Sequence, residues 1–460
     1  MSTARYARPM SYFTRERKAV LYADSLRDIE PADSFHLVRR WVQCRRADPL
    51  WIYQPKSDIS RHILGHMDEH PASAGPVARR VETLARSKPR RVCLIIGQLG
   101  LGGTEKQVAL LAEGLHRLGT EVFVVVLFDG GPHEATIRAA GVPLVNLDLR
   151  RPSGTWATPL RVLKTFLRLV HELRRLRPDV VHAFLFHSYV LAAPAAFLAR
   201  VPVVVAGRRS LGDFKRGRPL FVLCERIATT FTNLLVANSE AVAHDVRRSE
   251  KITERKLAVI YNGLPPAAFD QVMPAELDTA HPVVLCVANL RSYKGLDHLL
   301  NAAALLRDRG LPCTLVLVGD GDERGALSHR AVRLGIDVRF LGARTDIERL
   351  LARADVFVLP SLTEGMSNAV MEAMAAGRPV VATAVGGTPE LLANGRGVLV
   401  PPADPTALAD ALERVLRDPE EGARLSVAAR EWSRANLHAE TMVERYAAIY
   451  NELLRTRCAV

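Results

Sequence analysis

From Arg91 onward the chain repeats one local pattern: a short apolar run, a turn, then about ten to fifteen residues at helical spacing. The first series of apolar runs is Arg91–Ile96, Glu121–Phe128, Asp179–Ala183, Val203–Ala206, Leu234–Asn238 and Ala258–Tyr261. A second series starts at Val283–Ala288 and continues through Leu315–Val318, Val338–Leu341, Val356–Leu359, Val380–Ala382 and Gly397–Val400. Parallel strands need a long crossover connection, and a helix supplies it. The pattern therefore predicts an α/β chain with two doubly wound parallel sheets, joined across the polar, proline-containing stretch Pro265–Pro282.

Composition agrees with two or three packed domains: 460 residues, 48% hydrophobic and 24% charged. The best candidate for a membrane span, Val190–Val205, is interrupted by Pro194, Arg200 and Pro202, so none is expected. The beginning of the chain shows no apolar signal core. Six cysteines, at 44, 93, 224, 286, 313 and 458, lack paired spacing. Reduced thiols in a cytoplasmic setting fit them better than disulfides or a zinc site.

The net charge of +13 is unevenly spread. Residues 1–90 carry 17 basic against 10 acidic side chains and residues 91–280 carry 24 against 17, whereas residues 281–460 carry 21 against 22. A basic first half beside a neutral second half suggests different partners for the two. Anionic lipid headgroups or a lipid-phosphate acceptor suit the basic half. No nucleic-acid motif or aromatic-rich basic patch supports nucleic acid. Residues 1–90 lack clean periodicity and end in a basic run, Arg79–Arg91.

Candidate chemistry gathers where apolar runs end. Gly97–Glu105 is a glycine-rich turn opening a helix, where backbone amides can approach a phosphate or sugar. Its spacing is not the strict dinucleotide fingerprint, although Asp129, ending the next run, could serve as a ribose-binding acid in a Rossmann oxidoreductase. Val181–His187 places His182 at a strand end and His187 five residues on. Gly207–Gly212 leads into a basic loop with Lys215, Arg216 and Arg218, either solvated or set for an acceptor phosphate. Arg291 and Lys294 follow the first run of the second series, a planar fork and a point charge suited to a diphosphate. Asp320 and Asp322 invite a metal reading, but turn and helix-cap chemistry explains them, and no metal is expected. Leu160–Arg177 reads as a basic amphipathic helix, either a sheet-covering crossover or a face for anionic lipid.

The last motif is the most specific. Glu364 and Glu372 flank seven residues in Ser361–Gly377, after the apolar run Ala354–Pro360. Glu364 is expected in the loop at a strand's carboxyl end, with Glu372 about two turns into the next helix. This segment resembles the E-x7-E signature of retaining glycosyltransferases of the family 4 type, which have the GT-B fold, and the resemblance runs from about residue 91 to the end of the chain.

The resemblance implies two Rossmann-like domains facing across a cleft: 91–280 on the acceptor side, 281–435 for the nucleotide-sugar donor, and 436–460 as a helix returning to the first domain. Residues 1–90 stay a basic extension of unassigned structure. Its implied catalytic residues are Glu364, which orients the donor sugar, the phosphate-binding pair Arg291 and Lys294, and His187, which reaches sugar and acceptor. Implied substrate contacts are Gly102 and Gly103, Leu341 beside the base, Gly365, Met366, Ser367 and Asn368 at a helix start, and Glu372 on the ribose. The implied function is retaining, metal-independent sugar transfer from a nucleotide-diphosphate donor to a glycan or lipid-linked acceptor in cell-surface polysaccharide or glycolipid synthesis. No cofactor is expected, nor any nucleic-acid partner. The location expected is cytoplasmic, with peripheral contact to an anionic membrane as a further expectation. The alternative is a non-catalytic nucleotide-sugar-binding or assembly subunit on the same fold.

Overall fold

The computed structural model describes residues 91–458, apart from 129, 150–158 and 251. Asp129 and the basic extension 1–90 thus lie outside the described residues.

Seven strands form the first sheet: β1 (Arg91–Ile96), β2 (Glu121–Val126), β3 (Leu144–Asn146), β4 (Val180–Phe184), β5 (Val203–Arg208), β6 (Leu234–Ala237) and β7 (Leu257–Val259). All pair in parallel, in the order β3-β2-β1-β4-β5-β6-β7. Alternate residues of one strand serve opposite cores: Val92, Leu94 and Ile96 face one way, Cys93 and Ile95 the other. Both faces are covered, so apolar residues are needed at every position, and this produces the continuous runs seen in the sequence.

Helices α1 (Gly103–Arg117) and α2 (His133–Ala139) contribute to the core on one face. Helices α3 (Pro159–Leu176), α4 (Phe186–Leu198), α5 (Pro219–Thr230) and α6 (Glu240–Glu250) cover the other.

The second sheet has six parallel strands: β8 (Val283–Val287), β9 (Thr314–Val318), β10 (Val338–Gly342), β11 (Val356–Leu359), β12 (Val380–Thr383) and β13 (Val398–Val400). Their order is β10-β9-β8-β11-β12-β13. They are connected by α7 (Leu296–Asp308), α8 (Arg324–Leu334), α9 (Ile347–Arg353), α10 (Asn368–Ala375) and α11 (Thr388–Leu392). After β13 come α12 (Pro405–Arg417), α13 (Pro419–Asn436) and α14 (Ala439–Cys458). Met442, Val443, Tyr446, Ile449 and Tyr450 of α14 are buried in the core of the first sheet, against β1 and α1.

The chain crosses between the sheets twice, and the crossings touch. Leu264 donates its N–H to Leu437 O at 2.7 Å, and Ala439 donates to Leu264 O at 2.9 Å. Strand order reverses between β1 and β4 in the first sheet and between β8 and β11 in the second. Ligands of open α/β sheets bind beyond the carboxyl ends of strands at such a reversal. The glycine turn and His187 follow β1 and β4; Arg291, Lys294 and Glu364 follow β8 and β11. Among the described residues, no helix is long and apolar enough to cross a membrane.

Candidate active site

Glu364 lies in the loop between β11 and α10, as its position after Pro360 predicts. Its carboxylate accepts from Lys294 Nζ at 2.5 Å and from Ser361 Oγ at 2.7 Å, with both charged side chains largely buried. Lys294 reaches it from a short 3-10 turn, Ser292–Lys294, that ends at Gly295 in the left-handed conformation. Arg291, one turn earlier, points outward and pairs with Asp322. The expected cap role of Asp322 is therefore wrong: α8 has no side-chain cap, and Asp322 is the counter-ion of Arg291. Asp320 does serve the turn, accepting from Gly321 N at 2.8 Å.

Glu372 sits little more than one turn into α10, not two, because the helix begins only at Asn368. Its Oε1 accepts from Lys106 Nζ at 2.6 Å. Lys106 belongs to α1 of the other sheet, so this ion pair spans the cleft. Each glutamate of the pair thus holds a lysine, one from each wall.

The start of α10 is tied to the first sheet by amides. Ser367 caps it, its side chain accepting from Val370 N. Asn368 Nδ2 donates to Gly103 O at 3.0 Å, and its Oδ1 accepts from Asn262 Nδ2 at 2.7 Å. Asn262 Oδ1 in turn accepts from Arg209 Nη1 at 2.5 Å. Gln107 closes the arrangement, exchanging two 2.8 Å bonds with the backbone of Gly263. Gly365 lies where the two walls are in backbone contact: a Cβ there would sit 2.1 Å from Arg209 O. Its own carbonyl accepts from Gly387 N and from Ser239 Oγ. Met366 is buried and Leu341 half-buried at the end of β10.

Two candidates take different places from those expected. His182 is in the middle of β4, not at its end, and is fully buried with Nδ1 2.6 Å from Tyr450 Oη of α14. Burial, with a smaller contribution from nearby Arg209, holds it well below the usual histidine range, so it is a neutral structural group. Lys215 is not a solvated cation or a free phosphate ligand: it is half-buried and paired with Glu225. His187 stands exposed in the first turn of α4, its ring edge-on to Phe128. Phe128 N bonds Gly97 O at 2.8 Å, so His187 adjoins the base of the glycine turn.

That turn is less open to an anion than its glycines suggest. Glu105 is buried there, folded over Gly102 and bonded to its own backbone N–H and to Gln98. Burial raises its carboxyl above the usual range while these bonds oppose the rise. An acid already answers the positive end of α1.

Sequence reasoning missed Lys106, Gln107, Asn262 and Arg209. The one available signal was a cation a single turn into a helix that begins at a strand-end loop. Among the described residues, no group of three or more His, Cys, Asp and Glu could hold a metal ion.

Two parallel-sheet domains with a polar cleft at their paired strand reversals have the architecture of the GT-B fold. Family profiles match both halves: "Glycosyltransferase Family 4" over residues 101–268 and "Glycosyl transferases group 1" over 281–418. The α-D-kanosaminyltransferase of Streptomyces kanamyceticus is 32% identical over 65% of this chain and 83% of its own. The N,N'-diacetylbacillosaminyl-diphospho-undecaprenol α-1,3-N-acetylgalactosaminyltransferase of Campylobacter jejuni is 27% identical over 73% and 92%. The crystal structure of Anabaena HepE in complex with UDP-glucose superimposes with a TM-score of 0.67 at 22% identity, over 80% of this chain and all of that one. The chain belongs to glycosyltransferase family 4. Both named relatives are enzymes, which speaks against the assembly-subunit alternative.

Proposed function

We propose that this glycosyltransferase moves a sugar from a nucleoside diphosphate donor to a glycan or lipid-linked acceptor, with retention of anomeric configuration and no need for a metal. One observation carries the reading: Glu364 and Glu372, at the second strand reversal, each hold a lysine, from opposite walls of one cleft. Glu372 would accept the two ribose hydroxyls, with Lys106 fixing one carboxylate oxygen. Lys294 and Arg291 would offset charge on the diphosphate, Arg291 exchanging Asp322 for a phosphate oxygen. Glu364 would orient the sugar.

On this reading the bond from the sugar's anomeric carbon to the diphosphate oxygen breaks through an oxocarbenium-like state. The acceptor oxygen bonds the same face, and its proton passes to the departing diphosphate. Backbone amides at the start of α10 would bind sugar or phosphate oxygens, at a positive helix end that holds no acid in its first turn. HepE structures with UDP and with UDP-glucose support the donor class. The C. jejuni relative, named for a diphospho-undecaprenol substrate, supports a lipid-linked acceptor.

The test is calorimetric titration of the protein with UDP and GDP, without added metal. One nucleotide should bind, and Arg291→Ala should weaken it about tenfold or more, the loss of one charge-assisted contact. Proton NMR of the product anomer then reads the stereochemistry. A folded protein that binds neither nucleotide, or an inverted product, contradicts the reading.

A further inference from the structure

The face of the first sheet formed by α3, α4 and α5 displays an unusual share of the molecule's exposed apolar side chains. Of the seventeen large apolar residues exposed among the described residues, eight lie on these three helices. On α3 they are Leu160, Leu163 and Leu167; on α5 they are Leu220, Leu223 and Ile227, each at least 47% exposed. Both sets follow i, i+3, i+7, so each forms a single ridge along its helix. Helix α4 lies between and packs on both. It carries no Asp, Glu, Lys or Arg, and its far end exposes Phe197 and Leu198. Near its start, Phe186 stacks on Phe221 of α5.

These ridges are not surplus core. Helix α3 buries Leu169, Val170, Leu173 and Leu176 against the sheet, so Leu163 and Leu167 belong to a second apolar face. Ordinary crossover helices keep that outer face polar.

Cations frame the ridges. Arg161, Lys164 and Arg168 are exposed on α3, and Arg226 on α5. The acids do not compete: Glu172 is half-buried and paired with Arg175, and Glu225 is buried and paired with Lys215. Helix α4 has none. The three helices therefore present apolar ridges and positive charge with no exposed acid among them.

We infer that this face is a docking surface for an anionic lipid bilayer, with the leucine ridges entering the acyl boundary and the arginines and lysine at headgroup level. Charge excludes the nearer alternatives. A second copy seated face to face would set these cations against themselves. The first ninety residues, 17 basic against 10 acidic, would do the same. Each of the three helices is the crossover that follows a parallel strand, so each begins on the side of the sheet where the strands' carboxyl ends, and the strand reversal, lie. A lipid-borne acceptor would thus enter the cleft beside the membrane. That last step rests on the transferase reading; the docking surface does not.

The experiment is flotation of the full chain with vesicles of phosphatidylglycerol and phosphatidylcholine, and with phosphatidylcholine alone, alongside calorimetry with UDP and GDP on the same proteins. The wild-type chain should float with the anionic vesicles and be released by salt. The triple variant Leu163→Ser, Leu167→Ser, Leu223→Ser should lower partitioning about tenfold or more. Arg161→Gln, Lys164→Gln, Arg226→Gln should lower it similarly, at about fivefold per cation or less. Both variants should bind the same nucleotide, UDP or GDP, as tightly as the wild type, which reports an intact fold. Failure of the wild type to float overturns the inference, and so does undiminished flotation of both variants, which would place membrane contact in the first ninety residues. A wild-type oligomer dissolved by the leucine variant, without flotation, overturns it in favour of self-association. Binding of UDP or GDP without flotation sinks the surface and leaves the transferase reading standing; flotation with binding of neither nucleotide does the reverse.

Discussion

At the scale of single residues, the cross-cleft pair Lys106–Glu372 separates what sequence can show from what it cannot. Glu364, Glu372, Arg291 and Lys294 were legible because their spacing and their place after apolar runs are linear properties. Lys106 was not, because nothing linear relates it to an acid 266 residues away. If Lys106 acts through Glu372, their effects on nucleotide binding will be non-additive. Lys106→Met should weaken binding of the preferred nucleotide, UDP or GDP, about two- to fivefold in the wild-type background, the range of a partly exposed ion pair. It should do nothing further in Glu372→Ala. A double-mutant cycle by calorimetry measures this, and additive losses would show that Lys106 works elsewhere.

At the scale of elements, burial on both faces made most strands readable, since no polar alternation interrupts them. Strand β3 escaped notice because it is three half-buried residues at the sheet edge. The depth of Glu372 was misjudged for a related reason: the loop before α10 runs on to Ser367, whose capping bond no apolar pattern reveals. Within that loop Gly365 is fixed by the opposite wall, not by its own backbone angles. Gly365→Ala would drive a methyl into Arg209 O unless the walls separate. The expected outcome is a destabilisation of roughly 1–3 kcal/mol or an opened cleft. Urea denaturation and the radius of gyration in solution scattering distinguish these, and both predict a large fall in kcat/KM. A variant with wild-type stability, scattering and turnover would remove Gly365 from the role assigned to it.

At the scale of the whole molecule, α14 joins the second half of the chain to the core of the first through Tyr446 and Tyr450. His182 anchors that contact. Its folded-state pKa lies below its ordinary value of 6.5, so it contributes fully to stability above that pH. As pH falls below 6.5 the unfolded chain takes up a proton that the folded chain resists, and stability declines. The slope from this one group is at most about 1.4 kcal/mol per pH unit. Urea denaturation at pH 7.5 and 5.5 should show a smaller loss on acidification for His182→Gln than for the wild type. An equal loss in both would exclude His182 as its source.

The paired crossings at Leu264 and Leu437–Ala439 give the molecule the topology of a clasp. A single proteolytic nick between residues 270 and 282 would cut the chain into an amino-terminal fragment holding the first sheet and a carboxyl-terminal fragment holding the second. The latter would still carry α14, five of whose side chains are buried in the former. The severed halves would remain one particle, each incomplete alone, so the chain's two domains are not two independently separable proteins.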